Sequence, residues 1–405
     1  MTPETRQAWA NRLDAVVAWC AALLPVGIVV GNAGFEGLVA LAGLAFLTRC
    51  ALARRNPLAV VREEPIVLAW GVWWAVATVS VLVNGAGSKG LGHDIALVRY
   101  FLFVAAASDT GTRRPLFNMM ARGLAAAVVL GAVNTLSAYA LGFDLLGRPL
   151  VRYTGKLKEA SRLAGLSAYA SPFLLGWAAS AGVRAGRVRA ALFALCALSF
   201  GQVLQTRVRT ALLGAAAGLA AVAAWMGLTR RGTRALTLAA VAFLAVGAGV
   251  FLAKGYLDPT HLYDRVYIWK VAEAVWEDHP VLGSGVSSFQ DAFRRKAASG
   301  EVPPWTSPDG RKFSCVEETH AHNLVLMLLA STGLAGLAAF AVLFFLASRR
   351  ALATARGPRR GLSSWPAVVL VLGLTGFNVY HSWYQALLAF FVAMILQERG
   401  PRKQP

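Results

Sequence analysis

The sequence predicts an all-α polytopic membrane protein with about twelve transmembrane helices and a helical cap between the ninth and tenth. Three observations carry this prediction. Of 405 residues, 57% are hydrophobic and the mean hydropathy is +0.54, too apolar for a soluble globular chain. Apolar runs of membrane-spanning length recur along the chain. Most basic residues fall between those runs in alternate clusters, as positive-inside topology requires.

The first span, 13–30, follows Arg6 and Arg12. It is longer than a signal-peptide core and lacks a small-residue cleavage site, so it reads as retained. Further spans are expected at 35–52, 65–83, 91–108, 116–141, 164–182, 188–205, 210–228 and 234–253, and, after a polar stretch, at 321–347, 365–380 and 382–397. Alternation then gathers on one side Arg54, Arg55 and Arg62; Arg113 and Arg114; Arg184, Arg187 and Arg189; Arg230, Arg231 and Arg234; the arginines of 349–360; and Arg399, Arg402 and Lys403. That side is cytoplasmic, with both termini. The opposite side has near-neutral turns at 32–35 and 84–90 and two long connections, 142–163 and 254–320. Long ordered loops on a rigid scaffold are where function concentrates. The chain therefore divides into nine helices with a basic outer loop over 1–253, a cap over 254–320, and three helices with a tail over 321–405.

The cap segment is polar, aromatic and punctuated by Pro and Gly, and too short for an independent domain. Asp264 is expected to N-cap a helix running to about Asp278, with Arg265, Trp269, Ala272 and Trp276 on one face. Pro280, Gly283 and Gly285 end it in a turn, and a second helix over 288–298 carries Phe289 and Phe293 on its apolar side. The net charge of +20 sits in short clusters without a nucleic-acid motif, which excludes nucleic acid as the partner. Cys20, Cys50 and Cys196 lie in or beside spans and Cys315 in the polar segment, so no disulfide framework is expected and Cys315 reads as an unpaired thiol.

A minority of arginines break the topology rule: Arg152, Arg162, Arg207, Arg209 and Arg265 fall on the far side. Insertion does not need them there, so they are the first candidates for holding an anionic substrate. Arg207 and Arg209 flank the junction of two spans, where a charge forced to the bilayer centre would cost about 2.5–3.5 kcal/mol and one near the surface less. A phosphate would offset that cost, because guanidinium binds phosphate oxygens bidentately and a helix start adds backbone N–H groups. Lipid headgroups would satisfy the same pair. Arg265 begins the cap helix, where it can meet that anion or pair with Asp264. Arg148, Arg152, Lys156, Lys158 and Arg162 outweigh Asp144 and Glu159 in the 142–163 loop, a positive field suited to a substrate, an anionic lipid or a polysaccharide.

His322-Asn323 stands where the tenth span begins, and on a helix drawn from there His322, Leu326, Leu329, Gly333 and Gly336 share one stripe. The glycines would let a neighbouring helix approach the face that the histidine heads. In the first turn the helix dipole disfavours imidazolium and leaves a neutral proton acceptor; an interfacial histidine that only caps the helix is the competing reading. His320 and His322, two residues apart, would point to different helix faces, and no H-E-x-x-H or D-x-D pattern is nearby, so no metal site is expected. His93, His261, His279 and His381 read as surface or core residues.

These residues together resemble the O-antigen ligases and their relatives, the O-antigen polymerases and protein O-oligosaccharyltransferases. The resemblance covers about 160–345: Arg162-x-x-Gly165, Thr206-Arg207-Val208-Arg209, Arg265 with Trp269, the run Pro280 to Val286 with Phe289, and His322-Asn323-x9-Gly333-x-x-Gly336. Two positions depart from the family pattern: Leu337 stands where Gly, Thr or Tyr is common, and Val208 and Thr210 surround Arg209 where Ser-Arg-Gly is usual. The resemblance implies an inner-membrane glycosyltransferase with a periplasmic site, moving glycan from undecaprenyl diphosphate to a lipid A-core hydroxyl without a cofactor. It implies His322 as base, Arg207, Arg209 and Arg265 on the donor diphosphate, and Arg152, Arg162, Trp269, His320 and Asn323 as further substrate contacts. Alternatives are a polymerase, a protein-glycosylating enzyme and, from another class, a transporter of anionic lipid or polysaccharide; a transporter would show inverted repeats and charges near the midplane.

Overall fold

Capping residues followed by proline set several helix starts. In the computed structural model, which describes residues 2–84, 87–145, 147, 160–180, 186–229, 260–306, 310, 312–315 and 318–397, Thr2, Asn56 and Glu64 each accept a backbone N–H at a helix N-terminus with Pro at the next position. The helices are α1 (Pro3–Val30), α2 (Asn32–Leu52), α3 (Pro57–Glu63), α4 (Pro65–Val83), α5 (Gly87–Gly111), α6 (Leu116–Leu141), α7 (Ala160–Ala178), α8 (Gly186–Thr206) and α9 (Arg209–Thr229). They continue with α10 (Thr260–Asp278), α11 (Phe289–Ser299), α12 (Leu324–Thr354), α13 (Trp365–Thr375) and α14 (Ser382–Ile395). A two-residue antiparallel pair, β1 (Trp305–Thr306) with β2 (Lys312–Phe313), follows α11, and a 3₁₀ turn, Gly357–Ser364, precedes α13.

Among the described residues, α1, α2, α4, α5, α6, α8, α9 and α12 are the eight helices long and apolar enough to cross a membrane. The fold is all-α and polytopic. The expected twelve spans are not all of that kind. α13 and α14 have 11 and 14 residues, short of the roughly 18–20 a crossing needs. α7 is a central helix, buried without a break from Arg162 to Gly176 against α8, α9 and the 3₁₀ turn. The expected span at 234–253 lies outside the described residues.

At one end of the bundle, buried ion pairs join the helix ends that the basic clusters mark. Arg49 reaches Asp14 at 2.8 Å and Asp109 at 3.0 Å; Arg113 reaches Asp14 at 2.9 Å and Asp109 at 2.7 Å; Arg55 meets Asp109 at 2.5 Å. Both aspartates are almost fully buried, so each needs the cations and the cations need them. Arg350 similarly holds Glu64 at 3.1 Å, tying α12 to the start of α4.

The segment after α10 is stitched into α12. Gly333 interrupts that helix with φ 64° and ψ −164°. The carbonyls freed below the break accept from Ser284 N (to Ala330) and Gly285 N (to Ser331), and the amides above it, Leu334 N and Ala335 N, donate to Pro280 and Val281 carbonyls. Ser80 on α4 adds a hydroxyl bond to the Ser331 carbonyl at 3.0 Å. Gly333 and Gly336 therefore do not form a smooth approach stripe below His322: Gly333 opens the helix for a loop, and the first helical residue is Leu324, two after His322. A Cβ on Gly333 would lie 2.3 Å from the Val281 carbonyl carbon and oxygen.

The helix expected from Asp264 starts earlier, at Thr260, so Asp264 lies inside it and is not its cap. Its buried face is Tyr267, Ile268, Val271, Ala272 and Val275, rotated from the expected Arg265–Trp269–Ala272–Trp276 line; Arg265, Trp269 and Trp276 are half-buried at the border. The helix over Phe289–Ser299 does bury Phe289 and Phe293, as expected.

Asp109→Ala leaves buried arginines without their carboxylate and is expected to cost about 3–5 kcal/mol; unchanged thermal unfolding in detergent would show that the cluster holds nothing together. Gly333→Ala combines a positive φ with a backbone clash, and is expected to lose most of the folded protein on size-exclusion chromatography, where a wild-type yield would contradict the insertion.

Candidate functional site

Three helix ends meet at the turn after α13. The first is the α8–α9 junction. Arg207 takes a left-handed conformation, φ 54°, between the two helices and is exposed, whereas Arg209, the first residue of α9, is half-buried. The second is the start of α10, where the Arg265 guanidinium donates to the Thr375 carbonyl at 2.7 Å, a cation at the negative end of α13. Burial and then the positive charge of Arg209 push the Arg265 pKa below its ordinary value, which places the two guanidinium groups in each other's field.

The third end is the start of α12. Asn323 is its cap, accepting from Val325 N at 3.0 Å and Leu326 N at 3.2 Å. His322 precedes the cap with φ 51°, so it is neither in the first turn nor the capping residue. Its ring meets the backbone of Gly376 by a hydrogen bond. Gly376 is crowded from the other sides too: a Cβ there would lie 2.9 Å from Thr210 Cγ2 and 3.6 Å from Arg265 Nη2. Arg265, the residue after Arg209, and His322 therefore converge on Thr375–Gly376.

The His322 pKa is held below the ordinary imidazole value. Burial is the largest cause; the Glu318 carboxylate opposes it, Arg265 adds to it, and the Gly376 bond opposes it. Burial beside a cation thus favours the neutral ring expected from the sequence. His320 is pushed down to about 3 by burial and by His322, His381 and Arg265.

His320 and His322 lie in irregular chain before α12, so the helical-face argument that separated them does not hold. Their ring centroids are 4.0 Å apart, and the His381 ring lies 5.3 Å from His320 at 85°. Glu318 Oε1 is 3.9 Å from both His320 Nδ1 and His322 Nε2, and Thr319 Oγ1 is 2.9 Å from His320 Nδ1. Ligand atoms of Glu318, His320 and His322 all fall within 4.8 Å of one another.

Of the other expected site residues, Arg162 is buried in α7 and donates to Asn32 Oδ1 at 2.5 Å, and Trp269 stands one turn after Arg265 with its indole N–H buried and without a hydrogen-bond partner among the described residues. Arg152 lies outside the described residues. Sequence reasoning missed Glu318, His381 and the Thr375–Gly376 turn. For His381 the available signal was a polar Tyr-His step between two apolar runs; for the other two there was none.

Residues 194–341 match the O-antigen ligase family. The match supports an O-antigen ligase family assignment and, with it, a membrane glycosyl-handling function of the ligase or polymerase type. It takes in Arg207, Arg209, Arg265, Glu318, His320 and His322, while Thr375, Gly376 and His381 follow it. No curated protein matches the chain at a significant level.

Proposed function

We propose that this protein is a metal-independent O-antigen ligase of the bacterial inner membrane, transferring glycan from undecaprenyl diphosphate to a sugar hydroxyl of lipid A-core. The observation that carries the reading is the meeting of Arg265 and His322 at Thr375–Gly376, with the charge of Arg209 acting on Arg265 and Thr210, the next residue, against Gly376. The site end of the bundle is opposite the basic clusters and so faces the periplasm, with both termini in the cytoplasm.

Arg209 and Arg265 hold the donor diphosphate between them, and exposed Arg207 flanks it. His322 accepts the proton of the acceptor hydroxyl as its oxygen attacks the anomeric carbon. The bond from that carbon to the diphosphate oxygen breaks, and the arginines take up the charge that develops on the leaving group. One displacement inverts the anomeric centre. Asn323 fixes the chain at the base, His320 packs beside it, and the Trp269 N–H, Arg162 and Arg152 serve the rest of the substrate.

In a transfer assay with lipid-linked glycan and lipid A-core, Arg209→Ala and Arg265→Ala are expected to slow turnover by about 10²–10³, the scale of one lost preorganised charge contact, and His322→Ala by about 10²–10⁴, the scale of a lost base. Wild-type rates in all three at equal abundance would return these residues to lipid contact and folding. Excess chelator is expected to leave transfer intact, and its loss would end the metal-independent mechanism. Glycan lengthening without lipid A-core would identify a polymerase, glycosylated pilin a protein acceptor, and lipid flipping without covalent change a transporter. A product that keeps the donor configuration would reject single displacement.

A further inference from the structure

We propose that Glu318, His320 and His322 form an inhibitory site for zinc. The inhibition rests on the role given to His322 above; the binding does not. Two imidazoles and one carboxylate are a known zinc ligand set that leaves a fourth position for water. The three side chains come from irregular chain ahead of α12, so they can adjust without breaking a helical hydrogen-bond ladder. Ligand atoms about 2.0–2.2 Å from a tetrahedral ion are roughly 3.3 Å from each other. The present separations of 3.9 Å from Glu318 to each ring, with all three within 4.8 Å, need closing by about an ångström. The side chains are 18–26% exposed, shielded but reachable from solvent.

The donor set also selects the ion. Magnesium and calcium demand six or more oxygen ligands, and this cluster offers one carboxylate. Imidazole suits zinc, copper, iron and nickel, so the cluster favours these ions over magnesium and calcium. Glu318 neutralises part of the ion's charge, while Arg265, whose positive charge already acts on His322, opposes it and weakens the site. A metal bound to the His322 ring takes the lone pair that would accept the acceptor's proton. Zinc then switches transfer off reversibly, and the ion is no part of the reaction itself.

The test uses the full-length protein in nanodiscs. Cobalt chloride is expected to produce the visible bands of a four-coordinate site, and zinc chloride to abolish them by displacement. Glu318→Gln and His320→Ala are expected to weaken cobalt binding by more than about tenfold, the lower end of what losing only a ligand's outer hydrogen-bond partner causes. His381→Ala, which removes a neighbouring ring but no ligand, is expected to keep the bands. X-ray absorption at the zinc edge of the unmodified protein, expected to show two imidazoles, settles the ligand set even where a variant fails to fold. In the transfer assay, zinc is expected to abolish turnover and chelator to restore it. Absence of the bands in a protein that transfers glycan overturns the metal site and leaves the glycosyltransferase reading standing. Bands together with zinc-insensitive transfer overturn the inhibition.

Discussion

The break in α12 is the constraint on which the rest of the structure depends. A helix interrupted among apolar neighbours frees carbonyls below the break and amides above it, and each left bare would cost several kcal/mol. Here the backbone of 280–285 supplies the missing partners, four main-chain bonds on the two sides of Gly333. Only a residue without a side chain lets the two backbones meet, and Gly283 answers Gly333 from the loop side with φ 63°. The consequence is positional. The loop is continuous with α10, so anchoring it fixes α10, and with it Arg265, relative to the start of α12 and His322.

The site is then built from helix ends. Arg209 opens α9, Arg265 lies near the start of α10, Asn323 opens α12 and Thr375 closes α13. Ends are the places where a helix has backbone groups not committed to its own ladder, and two of the site's contacts use that property directly: Arg265 to the Thr375 carbonyl, and His322 to the Gly376 backbone. Such a turn brings cations and an imidazole together without placing any of them on a loop tip. It also ties the family-matched segment to a part of the chain beyond it, the turn between α13 and α14.

What was legible in the sequence follows from what is local. Hydropathy is a one-dimensional property, and the spans at 65–83 and 116–141 coincide with α4 and α6 end to end. Periodicity, in contrast, gives a helix but only loosely its buried face: α10 turned away from the expected line because Ile268, Val271 and Val275 are the better apolar stripe once Thr260 starts the helix. Hydropathy does not say which apolar helices face lipid and which pack inside protein: α7 is buried among its neighbours from Arg162 to Gly176. The pairing of Glu318 with His381 has no local signal, since nothing in their neighbours says that residues 63 apart share one cluster. The pair His320–His322 differs from the expectation for a related reason: a helix drawn through them separates the rings, but Asn323 caps α12 after them.

The same residue type does opposite work at the two ends of the bundle. Arg49, Arg55 and Arg113 are locked between Asp14 and Asp109, so their charge is spent within the protein and holds α1, α2 and α5 together. Arg265 is instead bound to a carbonyl, and its guanidinium is destabilised by burial and by Arg209. A cation whose charged form is disfavoured by a second cation gains most from an anion placed between them, and a diphosphate, with two adjacent charged groups, matches two guanidinium forks. Net charge cannot tell these ends apart, because a charge of +20 is the sum of both. The distinction lies in what each guanidinium faces, and that is where the chemistry of this end begins.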